Sequence, residues 1–496
     1  MVILKIMFNK YAIACRRYFL LLPILPILPI LSILSLSASA NLNLELPELE
    51  ELTGGSVATA TAQDNGVGLK LLRKMRRHLP IIEDPELNQW IISMGQRLAR
   101  SAGASGKLYF LLVENPDVNA SAYDGGVVLI NTGLVLYTDS ESELAAVIAH
   151  EIAHITQHHL ARMRSGSSGS LLGTSAAILA GLAVGSQSPD AGTAIVTSAL
   201  ALQQHQQLAF TRSMESEADR IGIRTLARAG FKASGMPALQ EKLDRLNDNP
   251  NAQIMKYLQS HPLSIERVSN TRNLARTLGN QGRENSSYLY AREKIRALTR
   301  RTGRTAMSMS TIKNPVVKNY ATAMDLYYQG KISQSYNVIA QLPQQQAAIR
   351  LALATLLNDQ GDYQQAFNLL SRAADVKPSD TALLVPLSNA LLGLGRTKEA
   401  WQRLRRVVPS EQTSLRFFEL KQEVARRLAY HADAYIAAAE RNVRMGEYRH
   451  AILQLKQAQK LPSITANGRA KVTAKLNQIE AQYGHQQDEH SKQRGR

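Results

Sequence analysis

Four segments in the C-terminal part of this 496-residue chain share one pattern, and a repeated unit limits the fold more tightly than composition does. They are QGKISQSYNVI, QGDYQQAFNLL, LGRTKEAWQRL and MGEYRHAILQL, with glycines at 330, 361, 395 and 446. Five residues after each glycine stands a small residue (Ser335, Ala366, Ala400, Ala451), and a larger apolar one follows (Tyr336, Phe367, Trp401, Ile452). Pro343, Pro378, Pro409 and Pro462 close the units. A glycine to turn the chain, a small residue where helices touch and a proline to stop the second helix describe a helix–turn–helix. Glycine spacings of 31 and 34 fit a repeat of about 34 residues, and the third, 51, leaves room for an extra helix. Such units stack into an all-α solenoid whose concave face binds extended or helical peptides.

The segments resemble tetratricopeptide repeats, and they place the solenoid at 318–482 with a disordered tail at 483–496. The N-terminus predicts a cleaved signal peptide over 1–40. Lys5, Lys10, Arg16 and Arg17 precede an apolar, proline-rich run, and Ala38-Ser39-Ala40 is a small-residue cleavage site. A retained membrane anchor is the rival reading, which the prolines and the A-x-A ending disfavour. The only cysteine, Cys15, lies in this leader, so the mature chain has no disulfide and its core must hold alone. The leader carries four positive charges and no acid, which leaves the mature chain at +14 of the total +18. A basic exported chain can meet anionic lipid headgroups or acidic partners, hence possible peripheral membrane contact. No aromatic-interleaved basic motif supports a nucleic-acid partner.

Between leader and repeats the sequence predicts a flexible segment at 41–65, a folded domain at 66–300 and a linker at 301–317. Within the domain, two helices break at Pro80 and Pro85. KLYFLLVE (107–114) reads as a strand, and NASAYDGGVVLINTG (119–133) as an extended segment, a Gly125-Gly126 turn and another strand. A long helix starts near Ser140, with Glu141 and Glu143 in its first turn. Residues 164–210 hold two apolar runs, each shorter than the roughly 20 residues of a spanning helix. They read as a buried helical hairpin or as a lid over a cleft that touches a membrane surface.

The chemistry concentrates in AAVIAHEIAHITQHH (145–159), which holds four of the eleven histidines. His150 and His154 are spaced i, i+4 and project from one helix face, so both can hold one cation. Glu151 lies about 100° around the helix, where it can reach a water beside that cation. His154 and His158 form a rival pair without an intervening Glu. His158 and His159, near the helix end, read as solvated or as capping carbonyls. SMESEAD (213–219) offers carboxylates: Glu215 and Asp219 share a face and Glu217 points elsewhere. One of the two can close the coordination, and the other can fix the tautomer of a ligand imidazole. No G-x-S-x-G elbow is present, and Gly106-Lys107 lacks the context of a phosphate loop.

HEIAH, ESEAD downstream and His261-Pro262 together resemble the zinc endopeptidase family that includes the CAAX prenyl protease and the HtpX-type membrane protease. The resemblance covers about 66–275. It implies an α+β zincin-like metalloprotease domain, mostly helical with a small sheet, and a hydrolase acting on peptide bonds with one Zn2+ per chain. It also implies His150, His154 and Glu215 as metal ligands, Glu151 as general base and Asp219 in support. His261 becomes an oxyanion stabiliser, or a latch on the open coordination place. Asn119 and Ala120, before the Gly125-Gly126 turn, match an edge segment that aligns extended substrate. Ser121 and Asp124 depart from the family pattern, which puts substrate preference in doubt. With its leader and repeats, the whole chain resembles periplasmic β-barrel assembly-enhancing proteases. That implies a periplasmic protease and chaperone acting on unfolded or misassembled outer-membrane proteins, and contact with the barrel assembly machinery through the repeats. The alternative is a non-enzymatic repeat holdase or adaptor with a vestigial metal site.

Overall fold

A computed structural model describes residues 60–163, 211–247, 257–279, 281–301 and 312–494. The expected signal peptide, the apolar hairpin at 164–210 and most of the linker lie outside them.

Helix α1 (Ala60–His78) begins inside the stretch read as flexible. Asp84 ends the break that Pro80 opens: its side chain accepts from the amides of Glu86 and Leu87 and caps α2 (Pro85–Ala102), with Pro85 in the first turn. Strands β1 (Tyr109–Val113), β2 (Ala120–Tyr123) and β3 (Val127–Asn131) form a sheet of order β1-β3-β2. β1 runs parallel to β3 and β2 antiparallel, with Ala120 opposite Ile130 and Tyr123 opposite Val127. Gly125 (φ 79°) and Gly126 (φ 82°) make the turn that joins them, in a backbone region open to glycine. After a short helix α3 (Thr132–Tyr137), helix α4 (Glu141–Thr156) enters the core, buried along nearly its whole length. It packs with α2 and the sheet through Leu144, Ile148 and Ile152 against Ile91, Phe110 and Ile130. A helix described over 211–228 (α5), then α6 (Gly235–Asn247) and α7 (Ile265–Leu278), complete this layer.

Helix α8 (Ser287–Arg301) belongs to two cores. Tyr288, Ala291 and Ile295 face the first domain, and Tyr290 and Ala297 pack with the repeats. The expected linker is therefore preceded by a shared helix, and Pro315–Val317 already form the first turn of the next one. Apolar residues on opposite faces of α8 explain why no composition break marks the boundary.

The repeats are helix pairs: α9 (Pro315–Tyr328) with α10 (Ile332–Ile339), α11 (Ala347–Gln360) with α12 (Tyr363–Val376), and α13 (Thr381–Gly393) with α14 (Thr397–Leu404). Gly330, Gly361 and Gly395 turn within pairs at φ 73–82°, and Ser335, Ala366 and Ala400 are wholly buried five residues on. The extra helix predicted in the long spacing is α15 (Leu415–Arg427), paired with α16 (His431–Arg444). Its turn residue is Ala429, at φ 57°, 34 residues after Gly395, and Ala434 is buried five residues later. The period continues through an alanine that sequence pattern does not mark, and Gly446 turns between α16 and α17 (Tyr448–Lys460). The last helix, α18 (Ala466–Arg494), runs through the segment read as a disordered tail. That segment is polar, holds three Gln and has no proline. The one glycine within the helix there, Gly484, disfavours helix by only about 1 kcal/mol.

Candidate active site

Helix α4 sets the site by its own period. Ser140 accepts from the Glu143 amide at 3.2 Å and fixes the first turn. Three turns on, the Nε2 atoms of His150 and His154 lie 3.0 Å apart. Helix α5 reaches them because Gly222 lets it approach: a Cβ there would stand 3.2 Å from His150 Cα and N. Glu215 and Asp219 share the Gly222 face of α5. Glu215 Oε2 is 3.3 Å from His150 Nε2, and its Oε1 is 3.3 Å from His154 Nε2. His261, in the turn before α7, brings Nδ1 to 3.2 Å from both Glu215 oxygens and 3.4 Å from His150 Nε2. One donor atom from each of His150, His154, Glu215 and His261 lies within 4.8 Å of the others. Imidazole nitrogens with one carboxylate oxygen, converging this closely, fit a zinc ion.

A second layer of charge holds these groups. Asp219 Oδ1 is 3.1 Å from His150 Nδ1, and Arg267 donates to Asp219 from Nε at 2.7 Å and Nη2 at 3.0 Å. Arg267 Nη1 lies 3.1 Å from Glu215 Oε2 and donates to the Pro262 carbonyl at 2.6 Å. One guanidinium thus neutralises two buried carboxylates and ties the turn that carries His261 to α5. Burial alone would lower the pKa of His150, but its hydrogen bonds to the Asp219 and Glu215 carboxylates lift it to about 10. Burial would raise the Glu215 carboxyl, yet His150, His154 and His261 hold it far below the carboxylate range. Both shifts express one fact: the cluster is built for a negative carboxylate facing positive charge.

Glu151 accepts from the Ala122 amide of β2 at 2.9 Å. Its other oxygen, Oε1, is buried without a hydrogen-bond partner and stands 3.4 Å from His261 Nε2. β2 is an edge strand, and the Ala122 N–H points away from β3 toward α4. Ala120 is buried in it, and the Asn119 carbonyl accepts from Asn131 N at 3.0 Å.

The residue pair at the end of α4 differs from expectation. His158 is exposed, but His159 is buried, its Nδ1 2.8 Å from His154 Nδ1 and its Nε2 3.2 Å from Glu217 Oε2. Glu217 does stand outside the converging donors. Sequence reasoning missed Arg267 and the contact of His159. Arg267 sits six residues after His261, and a cation able to answer Glu215 and Asp219 was the available signal.

Residues 85–275 match the model of Peptidase family M48, and 357–424 match a tetratricopeptide repeat. The chain carries a peptidase family M48 domain. A "Beta-barrel assembly-enhancing protease" of Escherichia coli (strain K12) is 29% identical over 449 residues, 88% of this chain and 91% of the relative. A protein of the same name from Yersinia pestis is 34% identical over 327 residues, 63% and 66% of the two chains. "Mitochondrial metalloendopeptidase OMA1" of Arabidopsis thaliana is 32% identical over 191 residues, 37% and 36%. With the M48 match and the four converging donors, the chain is a zinc-dependent metalloendopeptidase, and the non-enzymatic alternative is set aside. Among the described residues no helix is long and apolar enough to cross a membrane.

Proposed function

We propose that this metalloendopeptidase works in the periplasm on unfolded or misassembled outer-membrane proteins, and that its repeat domain meets the barrel assembly machinery and adds a chaperone activity. The names of its bacterial relatives, and 91% coverage of one of them, support this reading. His150, His154 and Glu215 hold the zinc, with Asp219 in support. A zinc ion bound there would supply Lewis-acid chemistry, polarising the scissile carbonyl and making water a competent nucleophile near neutral pH.

The chain's own groups do the rest. Glu151 Oε1 takes the proton of the attacking water and returns it to the leaving amine. The hydrogen bond from Ala122 N orients that carboxylate and couples it to the edge strand. An extended substrate lies along β2, with Asn119 and Ala120 setting its register. His261 has two roles open to it. With Nδ1 3.2 Å from Glu215 and Nε2 3.4 Å from Glu151, it can stabilise the oxyanion, or it can hold the site latent as a fourth ligand that substrate displaces.

The observation that carries the mechanism is the buried Glu151 Oε1, unpartnered and beside the donor cluster. Glu151→Gln should lower casein cleavage by several orders of magnitude while zinc content stays stoichiometric, and retained cleavage would refute the base. The same inactive protein, used to capture bound chains from the cell envelope, should enrich outer-membrane proteins. Enrichment of none would remove the proposed substrate class.

A further inference from the structure

The doublet His158-His159 follows the helix that carries the metal-binding pair, and the mechanism above makes no use of it. The two residues diverge. His158 has a left-handed φ of 52° and is exposed. That conformation costs a residue with a Cβ roughly 1–2 kcal/mol. The turn it makes swings His159 inward, where it is 1% exposed. The rings of His154 and His159 meet edge to face with centroids 4.8 Å apart, and their Nδ1 atoms are 2.8 Å apart.

Two ring nitrogens at that distance share one proton, and the surroundings decide whose it is. His154 turns Nε2 toward Glu215 and His150, so the lone pair needed for a metal is on Nε2 and the proton is on Nδ1. His154 Nδ1–H therefore donates and His159 Nδ1 accepts. The remaining His159 proton then sits on Nε2, and Glu217 Oε2 lies 3.2 Å away to accept it. Glu217 also accepts from Arg162 Nη1 at 2.9 Å. Every donor along this path meets an acceptor, and no other tautomer of His159 satisfies both ends.

We infer that His159 is a positioning residue of the metal centre: it holds His154 in its Nδ1-protonated form and relays to it the charge of Glu217. The inference rests on the reading of His154 as a ligand. It gives the two histidine arms different outer partners. His150 has the Asp219 carboxylate directly on Nδ1, whereas His154 reaches a carboxylate through a neutral ring. A ligand imidazole loses orientation and basicity without such a partner, and zinc affinity then falls about 10–100-fold.

The test is zinc titration of the full-length protein against a chromophoric chelator, with melting of the zinc-free forms measured alongside. His159→Leu fills the space without an acceptor and should weaken zinc binding about 10–100-fold. His159→Asn places Oδ1 near the lost Nδ1 and should recover most of that affinity. Glu217→Gln should shift affinity the same way by less. Should the Leu variant fail to fold, the Asn and Gln variants carry the comparison. His154→Ala separates the two readings. If it abolishes tight binding while His159→Leu binds like wild type, the positioning role is wrong and the ligand set stands. If His154→Ala binds like wild type too, the ligand reading fails and takes the inference with it. An Asn variant as weak as the Leu variant would also overturn it, because an acceptor at that point is what the relay requires.

Discussion

Burial outweighs charge at Glu141, in the first turn of α4. Its carboxyl is 5% exposed and accepts from the Asn285 amide at 2.7 Å. Desolvation lifts its pKa from 4.5 to about 7. Nearby Glu284 adds to the rise, and the Asn285 hydrogen bond and Arg97 oppose it. The native state therefore keeps a proton that the unfolded chain has released. The resulting stability is complete below pH 4.5 and is lost as pH rises through about 7. Glu141→Gln keeps an oxygen for Asn285 and removes the titration. It should match wild type near pH 4 and exceed it by up to about 3 kcal/mol at pH 8. Urea unfolding across that range checks this, and parallel profiles for the two proteins would show that the raised acid is not the source.

At the scale of elements, the site depends on how closely two helices approach. Gly222 stands i+7 from Glu215 and i+3 from Asp219, and it touches the backbone of α4 at His150. A Cβ there would meet Met236 Cε, a side-chain end that can give way, at 3.1 Å, but also His150 Cα and N at 3.2 Å, which are main chain, so a larger side chain must push the two helices apart. Gly222→Leu should cost about 1–3 kcal/mol by overpacking. It should also shrink the rise in melting temperature that zinc gives, because Glu215 moves with the helix. An unchanged zinc increment would show that α5 has slack. This dependence marks what sequence could and could not reveal. His150, His154 and Glu151 lie within five residues, so helical spacing alone placed them together. The Glu215–Asp219 pair was legible as a shared face, and the family motif then separated the two roles. Arg267 and His159 were not legible, because their partners lie 48 and 58 residues away and only packing brings them together. The same holds among the repeats. Gly330, Gly361 and Gly395 revealed a period, whereas Ala429 takes a left-handed φ by tertiary constraint and hid one turn of it.

Across the whole molecule, protease domain and repeats are joined by polar groups that each half would leave unsatisfied alone. Strand β1 is an edge of the sheet, and the loop before α15 caps it. Gln412 Oε1 accepts from the Phe110 amide at 2.6 Å, and Gln412 Nε2 donates to the Leu108 carbonyl at 3.3 Å. Around this point Arg76 donates to the Glu411 carbonyl at 2.7 Å, and Leu415 N donates to Glu83 Oε2 at 2.7 Å. Further along, half-buried Lys294 of α8 lies 2.8 Å from both Asp84 and Glu86 at the start of α2. An edge strand capped in this way cannot recruit another strand, so the repeats close the β1 edge to edge-to-edge association and leave β2 as the open one. They hold the α2–β1 layer, on which α4 packs, in one place. Gln412→Ala leaves the buried Phe110 N–H unpaired, at about 1–3 kcal/mol, while the Leu108 carbonyl keeps Gln96 Nε2 at 2.9 Å. Amide hydrogen exchange in 108–113 should quicken, and calorimetry should show the single transition of wild type broaden or split as the halves uncouple. Unchanged exchange at β1 together with a wild-type transition would mean that Gln412 does not couple the two domains and that the other contacts between them suffice.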